Sequence, residues 1–199
     1  MSDQKEPVLA GQSDGAIGLA AGFDAAKYRV EEMLRDGGTI LIRAIQPGDK
    51  ERLREHARGL STESVYHRFM GYKRALTDDD LRHFTEVDFV QHVGLVAIFS
   101  QNGGEQIIGV GRYIRTSNER AEVAFSVVDK HQGRGVGRQL LAHLSRIAKH
   151  RGITEFEADV MGDNIHMLDV IRATSLNVQQ TRVAGVVHLV WRIEDAERE

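Results

Sequence analysis

Three glycines within five positions mark the stretch of this sequence best suited to binding chemistry. Residues 132–137, QGRGVG, follow an apolar segment rich in β-branched residues and precede apolar residues at helical spacing. A glycine-rich turn at a helix start leaves backbone N–H groups unpaired, and the helix dipole adds positive potential there. Glycine also lets a ligand approach these amides, because no Cβ intervenes. The stretch therefore predicts a binding loop for a phosphate or pyrophosphate.

Two common phosphate-binding motifs do not fit this loop. A Walker A motif ends in Gly-Lys-Ser/Thr, whereas Arg138 follows Gly137 here. A dinucleotide-binding G-x-G-x-x-G motif requires a final glycine where this sequence has Arg138 or Leu140. The residues instead fit the pattern Q-x-x-G-x-G through Gln132, Gly135 and Gly137. A glycine-rich helix start without any ligand is the alternative interpretation.

The elements around the loop place it at a junction between a strand and a helix. The pattern predicts a strand over 121–128, a helix from Val136 to about Arg151, and a strand over 154–161 that is parallel to the first. The remaining elements are predicted as a strand over 39–44, helices between 49 and 87, strands over 92–99 and 106–115, a helix after Asn164, and a hairpin over 178–193.

The N-terminal residues are predicted to lie outside the main domain. Residues 1–22 show no sustained hydrophobic period, so we expect a flexible tail. Residues 23–35 have apolar residues at a spacing that suits a short amphipathic helix. Residues 1–35 are therefore predicted as an extension, and residues 36–199 as a single domain.

Composition narrows the classes of partner. With 41% hydrophobic residues and a net charge of −3, the sequence favours a globular protein and gives no reason to expect nucleic acid or an anionic membrane as partner. No apolar run approaches the ~20 residues of a membrane span. The N-terminus lacks the apolar region of a secretory signal, so we expect a cytoplasmic protein.

The chain contains no cysteine, which removes several kinds of chemistry. Without cysteine there is no disulfide, no thiolate metal site and no cysteine that carries an acyl group. Among the nine histidines, His143 and His150 lie seven residues apart on the predicted helix, and no metal-binding spacing occurs. We therefore expect no metal.

The chain resembles the GNAT superfamily of acetyl-CoA-dependent N-acetyltransferases over about residues 38–193. The features that carry this resemblance are the loop, the strand before it, the long helix after it and Asn164. Within the superfamily the chain is most similar to the catalytic domain of the bacterial protein lysine acetyltransferases called Pat. This similarity is carried by DGG at 36–38, GLSTES with a following tyrosine and RF at 59–69, FTEVD at 84–88, AEVAF at 121–125, the loop, and GVVH at 185–188.

The resemblance implies an α/β (α+β) fold of the GNAT type. Its sheet is mixed and mostly antiparallel, with splayed central parallel strands and flanking helices. Some Pat proteins carry a cyclic-nucleotide-binding domain before the catalytic one, and residues 1–35 are too short for it. The expectation for this chain is therefore an absence of direct cyclic-nucleotide control.

The resemblance also implies a site for acetyl-CoA as cosubstrate. Phe125 would lie beside the pantetheine arm, Asn164 would hydrogen-bond that arm, and the Val127 amide would face the oxyanion. The pyrophosphate would lie on Gln132, Gly133, Arg134, Gly135, Val136, Gly137 and Arg138. A solvated helix residue is the alternative for Arg138, and a helix N-cap is the alternative for Asn164, which is compatible with both roles.

Glu122 is the candidate general base. A lysine ammonium has a pKa of about 10.4, so the amine must lose a proton before it attacks a thioester. Glu122 lies among apolar residues of the predicted central strand, and the matching glutamate of histone-type lysine acetyltransferases is the base. Alternatively, Glu122 lies on an exposed face or pairs with Arg112 or Arg115, and strand alternation does not decide between these.

One position departs from a pattern common in the superfamily. In N-x-x-A-x-x-L-Y-x-x-x-G-F, the tyrosine protonates the leaving thiolate, and counting from Asn164 places Ile171 there. Coenzyme A would then leave as thiolate or take a proton from water, since a thiol pKa near 8.5 suits a leaving group. The departure leaves open weak activity or a binder without catalysis.

The expected function is acetyl transfer to the ε-amine of a protein lysine, and the similarity to Pat points to AMP-forming acyl-CoA synthetases as acceptors. Acetylation of a small-molecule amine is one alternative. A non-catalytic module that senses acyl-CoA is another.

Overall fold

A computed structural model describes residues 23–71, 75–101, 103–175 and 177–194. These residues form one eight-stranded sheet flanked by helices. The strands are β1 Arg29–Met33, β2 Thr39–Ala44, β3 His92–Gln101, β4 Gly104–Arg115, β5 Arg120–Val127, β6 Glu155–Met161, β7 Val178–Val183 and β8 Val186–Arg192. The α-helices are α1 Lys50–Arg58, α2 Thr62–Phe69, α3 Asp78–Thr85, α4 Val136–His150 and α5 Ile165–Arg172.

The sheet has the strand order β1-β2-β3-β4-β5-β6-β8-β7, and β5–β6 is its parallel pair. The other neighbouring pairs are antiparallel. Pairing between β5 and β6 covers only residues 120–122 and 155–157, although β5 continues to Val127 and β6 to Met161. The two central strands therefore diverge, which confirms the predicted mixed sheet with splayed parallel strands.

Two hydrophobic clusters hold the helices on opposite faces of the sheet. On one face α4 packs closely against β4, where a Cβ at Gly109 would lie 2.8 Å from Val136 Cγ1. Leu168 and Ile171 of α5 belong to the same cluster. On the other face, Leu53 of α1 and Leu81 of α3 form a second cluster with residues of β3 and β4. This arrangement fixes the ends of β5 and β6 between two helical layers.

The structure corrects the predicted helix over 23–35. This segment forms a 3-10 turn at Ala25–Lys27 and then strand β1, which pairs antiparallel with β2. The helical interpretation required Met33 on the inner face, but Met33 is 71% exposed, because exposure alternates along the strand. The sheet thus begins before the boundary expected at residue 36. The predicted tail over 1–22 lies outside the described residues.

Within the described residues, no helix has both the length and the apolar composition needed to cross a membrane.

Candidate active site

The gap between β5 and β6 opens into a cleft of about 660 Å³. Its walls are α2, the end of β5, the glycine loop, and the starts of α4 and α5. Most of the predicted donor-binding residues line it, namely Phe125, Val127, Gln132, Gly133, Gly135, Val136, Gly137, Arg138 and Asn164. Glu122 and Arg134 are not part of this lining.

Each glycine position in the loop requires this residue for its own structural reason. Gly133 and Gly135 have φ angles of +74° and +96°, in the left-handed region that favours glycine. Gly135 is the N-cap of α4, and no side chain caps the helix there, so the first amides of α4 lack intrahelical acceptors. A Cβ on Gly137 would lie 3.1 Å from the Phe125 ring, so glycine permits close packing of α4 on β5. The loop therefore presents backbone donors to the cleft.

The two arginines of the loop differ in their surroundings. Arg134 Nε donates to Asp36 Oδ2 at 2.6 Å, and this hydrogen bond lowers the pKa of the Asp36 carboxyl. Its Nη1 is 2.6 Å from His131 Nδ1, so Arg134 braces the loop against neighbouring turns. Arg138 lines the cleft without an ion pair to any residue in the described ranges. A phosphate contact by either side chain stays a prediction.

Arg35 was missed by the sequence analysis. It lines the cleft, and its Cγ would lie 3.6 Å from a Cβ at Gly135. Its backbone N–H donates to Arg134 O at 3.3 Å. The segment around Arg35 was assigned to an N-terminal extension, and no local motif marks this residue as part of the loop's surroundings.

The backbone amide of Val127 points into the gap between the strands. The next amide, that of Val128, donates to Ile108 O on β4 at 2.9 Å. Successive amides of a strand point in opposite directions, so the Val127 amide faces the β6 side. Pairing with β6 has already ended at Glu122. The Val127 carbonyl accepts a hydrogen bond from Gln132 Nε2 at 3.1 Å, which holds the loop against the strand.

Asn164 caps α5 and lines the cleft at the same time. Its Oδ1 accepts a hydrogen bond from the Met167 amide at 3.1 Å, as expected for an N-cap. This bond uses the side-chain oxygen and leaves the amide NH₂ for other partners. The capping role is confirmed, and contact with a pantetheine arm stays a prediction.

Glu122 is exposed and lies on the sheet face opposite α4. It forms no ion pair with Arg112 or Arg115 within the described residues. Burial lowers the pKa of the Arg68 guanidinium, and the Glu122 carboxylate raises it in part. Arg68 lines the cleft, so an electrostatic interaction links Glu122 to the cleft wall. The role of Glu122 as base stays a prediction.

A buried histidine anchors α1 to the floor of the cleft. His56 Nε2 is 2.9 Å from Ser126 Oγ on β5, and its Nδ1 is 3.2 Å from Ile107 O. Burial lowers the pKa of His56 to about 4, so the ring is neutral near pH 7. Ser126 lines the cleft, which gives this neutral ring a structural role beside the site.

A second histidine spans the cleft and was also missed. His67 Nε2 on α2 is 3.0 Å from Asp163 Oδ1 in the turn before α5, and both residues line the cleft. They are 96 residues apart in the chain, so no short-range pattern links them. Ile171, at the position of the usual tyrosine, is fully buried in the core. The α5 side of the cleft therefore has no hydroxyl at that position.

Histidine and acidic side chains do not gather into a metal-binding group anywhere in the described ranges. His143 is fully buried and is hydrogen-bonded to the Tyr28 hydroxyl. These contacts account for the burial of His143 on α4.

Comparison with known proteins agrees with the fold and the loop. The family described as acetyltransferase (GNAT) matches residues 53–173. Acetyltransferase Pat of Mycolicibacterium smegmatis is 32% identical over 140 residues, which cover 69% of this chain and 41% of that protein. Acetyltransferase PA5475 of Pseudomonas aeruginosa is 29% identical over 140 residues, 70% of this chain and 75% of that protein. The chain thus spans less than half of the Mycolicibacterium protein.

Solved structures that resemble this chain also include an acyltransferase and a GNAT domain. The GNAT domain of S. lividans PAT has 38% identity and a TM-score of 0.75, and the match covers 82% of this chain and 96% of that one. A cAMP-binding acyltransferase from Mycobacterium smegmatis has 28% identity and a TM-score of 0.60, over 86% of this chain and 49% of that one. At 18% identity and a TM-score of 0.60, yncA from Salmonella typhimurium, solved with acetyl-CoA, shares the fold over 80% of this chain and 96% of that one. The chain therefore belongs to the acetyltransferase (GNAT) family.

Proposed function

We propose that this chain transfers the acetyl group of acetyl-CoA to the ε-amine of a lysine on an acceptor protein. The observation that carries the proposal is the cleft, whose lining brings together the glycine loop with its unpaired amides, Val127 and Asn164. Similarity to Pat supports a protein lysine as acceptor and makes AMP-forming acyl-CoA synthetases the first acceptors to test.

The donor would bind along the glycine loop and the gap between β5 and β6. The first amides of α4 would hold the pyrophosphate, with Arg138 and Arg35 as nearby cations. The pantetheine arm would follow the gap past Asn164. The thioester carbonyl would then meet the Val127 amide, which suits an oxyanion donor because β6 has diverged there.

The acceptor amine would approach from the sheet face that carries Glu122. Glu122 is exposed on this face, and a carboxylate attracts a lysine side chain. Glu122 would accept the amine proton, directly or through water, so that the neutral amine attacks the acyl carbon. The Val127 amide would stabilise the oxyanion until the carbon–sulfur bond breaks.

The test measures coenzyme A release with an AMP-forming acyl-CoA synthetase as acceptor and follows synthetase activity in the same tubes. This chain contributes no thiol of its own to the assay, because it has no cysteine. Mass spectrometry of the synthetase identifies the acetylated lysine. Release that silences the synthetase supports the proposal, whereas release with free amines alone favours a small-molecule acceptor.

Replacement of the candidate base sharpens this test. Glu122→Gln is expected to lower kcat/KM by about 100-fold, within the range typical of general base catalysis. Glu157→Gln is the matched control. Glu157 lies on β6 directly beside Glu122 of β5, and it forms an ion pair with Arg120. The control is expected to stay near the wild-type rate. A Glu122→Gln variant with full kcat/KM between about pH 6 and 9 would remove Glu122 from this role.

A sensor without catalysis is the second candidate function. It is favoured by the buried Ile171 at the usual tyrosine position and by Glu122 lying outside the cleft lining. Tight binding of acetyl-CoA in calorimetry, without thiol release for protein or small amines, would support this function instead.

A further inference from the structure

The His67–Asp163 pair has no part in the chemistry described so far. His67 projects from α2, and Asp163 directly precedes Asn164 in the turn before α5. The 3.0 Å contact between His67 Nε2 and Asp163 Oδ1 therefore places an imidazole at the end of the cleft where Asn164 lies. An imidazole in this place is a candidate for proton transfer near the pantetheine arm.

Asp163 orients the ring and selects its tautomer. The His67 side chain is 12% exposed, so the ring is held within the cleft wall, whereas the Asp163 carboxylate is 72% exposed. A carboxylate accepts a hydrogen bond from Nε2–H, which leaves Nδ1 as the nitrogen that gains or loses a proton. Nδ1 of His67 has no hydrogen bond to any described residue and is not sealed from solvent. It is therefore free to exchange a proton with a group in the cleft.

Asp163 is the acidic group in hydrogen-bond contact with His67 among the described residues. Other charged and titratable groups share the cleft lining with His67: Arg35 after β1, Glu63 and Arg68 on α2, Asp129 and His131 after β5, Arg138 on α4, and His166 and Asp169 on α5. Among these groups, the Asp163 carboxylate is the one that contacts the ring and therefore orients it.

We infer that His67, held by Asp163, donates the proton that the departing thiolate of coenzyme A takes up; this inference rests on the proposed acetyl transfer. As the carbon–sulfur bond breaks, its electron pair stays on sulfur, and sulfur takes the proton from Nδ1 of the imidazolium. Two protons leave the nitrogen through Glu122 to water, one from the ammonium before attack and one from the tetrahedral intermediate. The neutral imidazole is then reprotonated by solvent, so each turnover converts an ammonium and a thioester into an amide, a thiol and one released proton.

The buried Ile171 explains why such a donor is needed on α2. At the corresponding place on α5 many GNAT sequences have a tyrosine, and this chain has no hydroxyl there. A thiolate with a pKa near 8.5 leaves without much help. We therefore expect the proton donor to contribute about tenfold to hundredfold, at the lower end of general acid catalysis.

The experiment compares wild type, His67→Gln and Asp163→Asn in the thiol-release assay across pH. His188→Gln is the matched control, because His188 Nδ1 lies 2.7 Å from Asp159 Oδ1 in a similar pair outside the cleft lining. His67→Gln is expected to lower kcat about tenfold to hundredfold and to abolish the fall of kcat at alkaline pH. Asp163→Asn should have an intermediate effect, and His188→Gln should keep the wild-type pH profile.

Two further measurements separate proton donation from a purely structural role. Binding of acetyl-CoA, measured by calorimetry, is expected to be unchanged in His67→Gln, and added imidazole is expected to restore part of the activity of His67→Ala. A weaker affinity of His67→Gln for acetyl-CoA with unchanged kcat would overturn the inference. It would indicate that the pair only holds α2 and α5 in position. Full activity of His67→Gln would overturn it as well. If wild type itself releases no coenzyme A with any amine, the proposed function fails first and the inference fails with it.

Discussion

Two of the helices that line the candidate cleft, α4 and α2, are held in opposite ways. α4 has 15 residues, and its buried side chains include an apolar stripe of Val136, Leu140, Leu141, Leu144 and Ile147. α2 has 8 residues, each of which is exposed or half-buried, and its partly buried Phe69 packs against the second cluster. Helices in proteins derive most of their stability from the packing of an apolar face. We therefore expect α4 to open only when the whole domain unfolds and α2 to open locally.

This difference matches the two tasks of the cleft. A pyrophosphate site depends on several backbone amides in fixed positions, so the helix that supplies them must be rigid. In the proposed function the other wall would meet the acceptor, and freedom to adjust would let it fit that partner on binding. The glycine loop belongs to the rigid wall, while His67 and Arg68 belong to the adaptable one.

The strongest test of this comparison removes a side chain from each helix. Leu144 is fully buried, and its Cδ1 would lie 3.1 Å from a Cβ at Gly111 on β4. Leu144→Ala is expected to lower the free energy of unfolding by about 3–5 kcal/mol, because it leaves a cavity in the core. Val65→Ala on α2, which is half-buried, should cost about 1 kcal/mol or less. Chemical denaturation at neutral pH measures both values, and equal losses would contradict the comparison.

A second test addresses the loop at the start of α4. Gly135→Ala places a Cβ at a φ of +96°, which strains the loop and shifts the amides. We expect the Kd for acetyl-CoA to rise by about 100-fold, since several donors move together. Gly152→Ala is the matched control, because Gly152 has a φ of +76° at the other end of α4, away from the cleft. Its stability should fall while its affinity for acetyl-CoA is kept; a parallel loss of affinity would argue against the loop as donor site.

The third test uses pH to weaken the contact between His56 of α1 and Ser126 of β5 at the cleft. Burial lowers the pKa of His56 from 6.5 to about 4, so the unfolded chain binds this proton more readily than the folded one. The stability that neutral His56 provides is therefore complete above about pH 6.5 and is lost as the pH falls toward 4. Between pH 7 and 4.5 wild type should lose about 2.5 kcal/mol more than His56→Gln, which does not titrate. His150→Gln, at an exposed position, should follow wild type; a His56→Gln variant with the wild-type pH dependence would refute the assignment.

The rigid wall is also the one that sequence alone predicts. Residues 121–151 are consecutive, and the signals that place them are local: a strand, glycines that allow positive φ, and a helical apolar period. The capping box of Thr77 and Asp80 at the start of α3 is a local signal of the same kind. In these places the chain determines its own conformation over a few residues, so the pattern and the structure agree.

Other parts of the site depend on contacts that no local pattern encodes. His67 and Asp163 meet across 96 residues of chain, and Arg35 reaches the loop from a segment predicted as an extension. Val30 and Met33 suit a helix by spacing, but β2 offers a partner edge, and pairing with it turns the segment into strand β1. Alternation along β5 fixes which residues share a face with Glu122, yet only the packing of α4 decides which face is covered.

The last test weakens α2 without touching the core. Ser61 caps α2, since its Oγ accepts a hydrogen bond from the Ser64 amide at 3.1 Å, and Ser61→Ala is expected to cost about 1 kcal/mol. Because α2 is held by half-buried residues only, this loss should appear as about fivefold faster hydrogen exchange of α2 amides, with α4 amides unchanged. Thr77→Ala is the control, because Thr77 caps α3, where Leu81 is buried, so its cost should appear in global unfolding. Equal acceleration in α2 and α4 after Ser61→Ala would mean that the two walls open as one unit.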